Sequence, residues 1–127
     1  MMNLYLAIDG DDVGNRIEYL ILVNDRESLI DFSKKIQSGM NWLEIKLVEA
    51  FDAEIIFNGG DSLLACLPRE NLSSELIEQL KFTFARETNI TISVGLGHSP
   101  SQAYFALKLA KTSGKNCIRH FQELDHG

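Results

Sequence analysis

No stretch of this 127-residue chain reaches the run of about 18 apolar residues that a membrane-spanning helix needs, so no membrane partner is expected. Proline is scarce: Pro68 and Pro100 are the only two, and both fall where elements should end or begin. With no linker, internal repeat or low-complexity segment visible, residues 1–127 are expected to form one domain. Cysteine is equally scarce. Cys66 and Cys117 lie far apart in apolar runs, with too little sulfur or imidazole nearby for a metal site, and are read as reduced core residues. Basic residues are outnumbered, 12 Lys and Arg against 18 Asp and Glu, and the net charge of −6 argues against a duplex-wrapping nucleic-acid binder. An acidic protein can still hold a nucleotide when Mg²⁺ bridges its carboxylates to phosphate. The opening MMNLYLAIDGDD lacks a basic region and a small-residue cleavage site, so a cytoplasmic location is expected.

What is present is periodic. NLYLAID (residues 3–9) is a mostly apolar run that predicts a buried strand, and NRIEYLILV (15–23) predicts a helix with Ile17, Leu20 and Ile21 on one face. Asn24 followed by Glu27 reads as a helix start. From there Leu29, Phe32, Ile36, Met40, Leu43, Leu47 and Phe51 recur at steps of three or four, predicting one long helix over about residues 26–52 that runs through Gly39. AEIIF and SLLACL flank NGGD as a hairpin. A helix capped by Asn or Ser follows across 70–88, then the β-branched strand NITISVGLG. The next helix has Ser99 as cap and Pro100 in its first turn and ends at Gly114; NCIRHF closes as a strand. The order β-α-α-β-β-α-β-α-β predicts an α+β ferredoxin-like fold, an antiparallel sheet with helices on one face.

In that fold the first strand is central and neighbours the hairpin, so Asp9 and Asp61 are expected side by side at one end of the sheet. Two carboxylates placed so repel each other unless a divalent cation joins them. Taken singly, IDGDDVG reads as an acidic solvated turn, and NGGD as a loop needing positive φ. Lys111 and Lys115, in KLAKTSGKN, can likewise serve only the helix C-terminal dipole. Together the three pieces make a different pattern, carboxylates for metal and ammonium groups for a triphosphate.

These motifs resemble a known set. NGGDS looks like the GGDEF or GGDD turn of palm-type nucleotide cyclases and polymerases. LAIDGDDVG is similar to the first strand and loop of the palm in the large subunit of type III CRISPR complexes. ITISVGLG and AYFALKLAKTSGKN resemble the closing strand and helix of both groups. Length and IDGDDVG together look most like the minimal CRISPR polymerase family, mCpol, with the resemblance spanning Leu4 to about Asn116.

The resemblance implies a palm fold that binds a nucleoside triphosphate, ATP by preference, with Mg²⁺ (or Mn²⁺). Asp9 and Asp61 would be catalytic and hold metal, helped by the Gly10 carbonyl. The amides of Asp11, Asp12, Val13 and Gly14 would cradle phosphates. Lys111 and Lys115 would contact the triphosphate, and Asn58, Gly59 and Gly60 would let the hairpin approach the nucleotide. The implied product is a cyclic di- or oligonucleotide made with release of pyrophosphate, in prokaryotic antiviral signalling through a separate effector protein. Since one small domain offers one site, a two-fold homodimer is expected to join two substrates. One departure stands out. Ser62 occupies the position where GGDD and GGDEF proteins carry an acid, which keeps open a degenerate nucleotide-binding sensor, with Asp11 or Asp12 as sources of the missing charge. A GTP-using diguanylate cyclase is the other alternative. His98, His120 and His126 read as surface or cap residues, and Trp42, Tyr104 and Phe105 as packing residues.

Overall fold

The computed structural model describes residues 2–121; His126 lies outside them. Its elements run β1 (Asn3–Gly10), α1 (Val13–Leu22), α2 (Arg26–Phe51), β2 (Glu54–Asn58), β3 (Ser62–Pro68), α3 (Ser74–Thr88), β4 (Ile92–Gly97), α4 (Pro100–Thr112) and β5 (Ile118–His120), with one 3₁₀ turn at Arg69–Asn71. This is the order the periodicity predicts. The long helix is unbroken and about 40 Å in length. Its stripe of Phe32, Ile36, Met40, Leu43, Leu47 and Phe51 is buried. Gly39 belongs to that face for a reason of space: a Cβ there would lie 2.6 Å from the Phe84 ring and 2.8 Å from the Thr88 methyl, where α3 crosses α2. The start of the helix falls one residue later than Asn24. Asn24 is a left-handed turn residue (φ 57°), and the Asp25 side chain caps instead, accepting from the Ser28 amide at 3.1 Å.

The strands form one sheet in the order β2-β3-β1-β4-β5. β1 pairs antiparallel with β3 and β4, as expected, but β4 and β5 are parallel, so the sheet is mixed rather than antiparallel. The reason is the connection. β4 and β5 are joined through α4, and a strand–helix–strand crossover returns the chain in the same direction.

The helices also occupy both faces, not one. Alternate residues of a strand point to opposite sides. Leu4, Leu6 and Ile8 of β1 and Val94 and Leu96 of β4 join the core beneath α1, α2 and α3. Ala7 of β1 packs instead with Ala103 and Leu107 of α4. Gly95 permits this: a Cβ there would lie 2.2 Å from the Leu107 amide nitrogen and 2.3 Å from the Ala103 carbonyl. Helix α4 thus rests on the bare backbone of β4, and the β3 side of that face stays open. Among the described residues, no helix is long and apolar enough to cross a membrane. Cys66 and Cys117 are free thiols, half-buried rather than core.

Candidate active site

The end of β1 carries the site. Asp9 is the cross-strand partner of Ser62 on one side and Ser93 on the other. The Gly10 amide donates to the Asp61 carbonyl at 3.0 Å, which ties the hairpin tip to the end of β1. The hairpin is stiffened locally. The Gly59 amide donates to the Ser62 carbonyl at 2.9 Å, the Gly60 amide to Asn58 Oδ1 at 3.0 Å, and Gly60 takes φ 93°. Asn58 also braces the tip against α2, its Nδ2 donating to Asn41 Oδ1 and Glu44 Oε1, both at 3.2 Å. Asn58 and Asn41 are therefore engaged with each other.

Lys111 closes the site from α4. Its ammonium donates to Asp9 Oδ2 at 3.0 Å, to the Gly10 carbonyl at 3.0 Å and to Asp11 Oδ1 at 2.9 Å. One cation thus sits among three oxygens from a single turn. The Asp9 carboxyl is pushed up from its ordinary value, first by burial and then by the charges of Asp61 and Asp11, against the opposing pull of Lys111. Burial acts on Lys111 to lower its pKa, but the bonds to Asp11 and Asp9 outweigh it and hold the ammonium above its ordinary value.

Asp11 has a different role from the one its sequence position suggests. Its amide donates to the Thr91 carbonyl at 2.9 Å and is not free for a phosphate. Its carboxylate is buried and accepts from Thr91 Oγ1 and Ser93 Oγ, each at 2.7 Å, from the Asn116 amide at 3.0 Å and from Lys111. These bonds overcome the penalty of burial and hold the carboxyl below the ordinary range. Asp11 is a junction joining β1, β4, α4 and the turn before β5. It cannot also replace the acid missing at Ser62. Behind it, buried Lys81 donates to the Asn116 carbonyl at 3.0 Å and to Asn116 Oδ1 at 2.7 Å, fixing a turn in which Lys115 and Asn116 both take positive φ.

Asp12 caps α1 in the left-handed region (φ 61°) without a side-chain bond to the helix, so the first-turn amides of Val13 and Gly14 have no capping partner. Space around Gly14 is open. Lys115 pairs with Asp12 at the surface. An anion approaching the start of α1 would meet free amides and a lysine together.

The donor set suits a hard divalent cation. Asp9, Asp61 and the Gly10 carbonyl all offer oxygen, and an ammonium already occupies the position on two of these groups that a metal would take. Among the described residues no three His, Cys, Asp or Glu side chains gather into a metal cage. Mg²⁺ does not require one, since it commonly takes one or two carboxylates and completes its shell with water and substrate phosphate.

A family model described as the minimal CRISPR polymerase domain, mCpol, matches residues 5–121. The chain belongs to the minimal CRISPR polymerase family. No curated protein matches the sequence. Among solved structures, the mCpol chain is similar to a GGDEF domain of DgcB from Caulobacter crescentus in complex with c-di-GMP, with 18% identity, a TM-score of 0.61, and 95% of this chain and 79% of that one covered. It is similar to the Csm1-Csm4 cassette in complex with cA4, with 18% identity and a TM-score of 0.72; the match covers 92% of this chain but only 20% of that one. The active GGEEF domain of a diguanylate cyclase from Vibrio cholerae matches at 20% identity and a TM-score of 0.53, covering 94% of this chain and 82% of that one. At these identities the likeness is one of fold, and the fold is the palm common to cyclase and polymerase domains.

Proposed function

We propose that this mCpol protein is a divalent-metal-dependent nucleotidyltransferase that joins nucleoside triphosphates, ATP by preference, into a cyclic di- or oligonucleotide. The observation that carries the reading is the corner of Asp9, the Gly10 carbonyl and Asp61, tied by the Gly10–Asp61 backbone bond and filled by the Lys111 ammonium. Asp9, Asp61 and the Gly10 carbonyl hold Mg²⁺ or Mn²⁺. The ion, when bound, lowers the pKa of the attacking hydroxyl and offsets charge on the phosphates. The amides of Asp12, Val13 and Gly14 receive the terminal phosphates, with Lys115 turning from Asp12 to join them. Lys111 then leaves the carboxylates for the triphosphate. A ribose hydroxyl gives up its proton to water as its oxygen attacks the α-phosphorus, the new P–O ester bond forms, the bond to the bridging oxygen of the β-phosphate breaks, and pyrophosphate leaves with that electron pair. Cyclisation repeats the step with a second nucleotide, which two protomers related by a two-fold axis would present. The product would act on a separate effector in antiviral defence.

A second reading has a specific basis. Ser62 sits directly across from Asp9, where a carboxylate would complete a second metal site, so the protein on this reading binds nucleotide as a sensor without turnover. One experiment separates the two: incubation with Mg²⁺ or Mn²⁺ and each nucleoside triphosphate in turn, with products resolved by mass. Pyrophosphate and a cyclic adenylate are expected. A cyclic guanylate would move the substrate to GTP, and tight ATP binding with no pyrophosphate would favour the sensor.

A further inference from the structure

The other end of the sheet gathers nitrogen-bearing side chains. Because β1 runs antiparallel to β3 and β4, it begins where those two strands end, and β5, parallel to β4, ends there as well. Leu4, Arg69, His98 and His120 therefore converge, although the sequence separates them widely. They line a cavity of about 240 Å³. Leu4 and Leu96, both buried core residues, give it an apolar floor. His98 and His120, which the sequence reads as surface or cap residues, are half-buried members of its wall.

Backbone bonds hold this wall in place. His120 is the register partner of Leu96, the Phe121 amide donates to the Leu96 carbonyl at 2.8 Å, and the Arg69 amide donates to the Met2 carbonyl at 3.1 Å. The His98 amide donates to Gln102 Oε1 at 2.8 Å, which ties it to the first turn of α4. The side chains are far less engaged. Among the described residues, none of Arg69, His98 and His120 forms an ion pair. The Arg69 guanidinium has the Met2 thioether, a weak acceptor, at 3.7 Å. His98 Nδ1 is buried without a hydrogen-bond partner among the described residues, a state that native proteins seldom leave unexplained. No carboxylate lines the cavity, although acidic residues outnumber basic ones 18 to 12 in the chain.

We propose that this cavity is a second binding site, for a small phosphoryl anion held between the Arg69 guanidinium and the imidazoles of His98 and His120. Charge selects an anion, since the lining holds a fixed cation and two imidazoles with nothing to balance them. The donor count selects phosphoryl over carboxyl. Arginine offers a planar fork to two oxygens, and the imidazoles add donors from two other strand ends, so a third oxygen is met as well. The anion also gives the His98 ring the partner it lacks. The apolar floor lowers the local dielectric and strengthens these bonds. Size sets the upper limit: the volume lies below the roughly 300–1,000 Å³ of sites for drug-sized ligands, so a nucleotide or cyclic product is too large. The site is separate from the metal corner, because Leu4 and Asp9 stand five residues apart on β1, about 17 Å at the usual rise per strand residue. It does not depend on the proposed catalytic function.

The test is calorimetric titration of the full chain with orthophosphate, without divalent cation so that the metal corner takes no part. Saturable binding is expected. Arg69→Gln should weaken it at least about tenfold, the cost of losing hydrogen bonds to a charged group, and His120→Gln should weaken it as well. Acetate, with two oxygens, should bind at least about tenfold more weakly than phosphate for the same reason. Lys115→Gln, which alters the other anion-accepting surface at the start of α1, should leave phosphate affinity unchanged. In the wild type, phosphate should shift the ring-proton resonances of His98 and His120, a readout that needs no variant. Binding lost in Lys115→Gln but kept in Arg69→Gln would move the anion to α1 and overturn the second site. Acetate bound as tightly as phosphate would overturn the phosphoryl assignment. No saturable binding by the wild type, or shifts that spare both histidines, would overturn the proposal outright.

Discussion

Asp61→Asn is expected to reduce pyrophosphate release more than about 100-fold while leaving the fold at least as stable as the wild type. The lower bound follows from residues that only support a metal ligand, whose loss typically costs about 10–100-fold; a direct ligand should cost more. The stability half of the prediction follows from charge. Asp61 raises the Asp9 pKa by repulsion, so neutralising it relieves a cost that the folded protein carries when no cation is bound. Circular dichroism melting beside the turnover assay checks both halves. A variant that retained wild-type turnover would remove Asp61 from the site. A variant that lost activity only because it had unfolded would make Asp61 a structural residue.

The second large effect belongs to Asp11, and it is one of stability. Asp11→Ala would strip the acceptor from two hydroxyls, a backbone amide and the Lys111 ammonium, all drawn together in the interior. Removing one partner of a buried ion pair costs about 3–5 kcal/mol. In a domain of this size that lowers the melting temperature by roughly 10–20 °C. Asp12→Asn, one residue away, weakens only a surface pair with Lys115, since Asn also tolerates the left-handed backbone there, and should cost no more than about 1 kcal/mol. Parallel thermal melts of the two variants would reveal the contrast; equal shifts would dissolve the junction. The pH dependence has a definite sign. Since the Asp11 carboxyl is depressed in the folded state, its contribution is present above the ordinary carboxylate pKa of about 3.9 and is lost as pH falls through the lower folded value. Asp9, raised in the folded state, acts in the opposite sense: its part is present at low pH and lost as pH rises through its elevated value.

The contrast between Asp11 and Asp12 marks the limit of what the sequence reveals. GDDVG presents two adjacent carboxylates with no local cue as to which of them turns inward. Thr91, Ser93 and Asn116, which decide the matter, lie 80 to 105 residues away. By contrast, α2 is legible because its periodicity is local and long, and the hairpin because Gly60 supplies a positive φ that few residues adopt. The meeting of Asp9 with the hairpin followed from topology alone, since β1 is central and pairs with β3.

The position of α4 was legible in principle. Gly95 and Gly97 alternate on one side of β4, and the helix that follows offers Ala103, Ala106 and Ala110, a small-on-small contact that requires close approach to the sheet. Reading β4 only as a β-branched strand misses it; all six of its residues are buried, which means that both faces of the strand are covered. The same oversight hides the open ground over β3, which exists only if a helix occupies the neighbouring strand. The bulge in β2, where Ile55 pairs with Ala65 and Phe57 with Leu64, has no sequence signature here. Nothing in EIIFN announces that Ile56 is the residue left over.

The central claim is that the corner of Asp9, Gly10 and Asp61 receives a divalent cation together with a nucleotide, and that Lys111 gives way to it. Anomalous diffraction from crystals grown with Mn²⁺ and α,β-methylene ATP tests it most directly. A manganese peak bounded by the Asp9 and Asp61 carboxylates and the Gly10 carbonyl, with the Lys111 ammonium moved onto phosphate oxygen, is the predicted result. Nucleotide bound elsewhere, or no manganese at that corner with Lys111 still joined to Asp9 and Gly10, would contradict it.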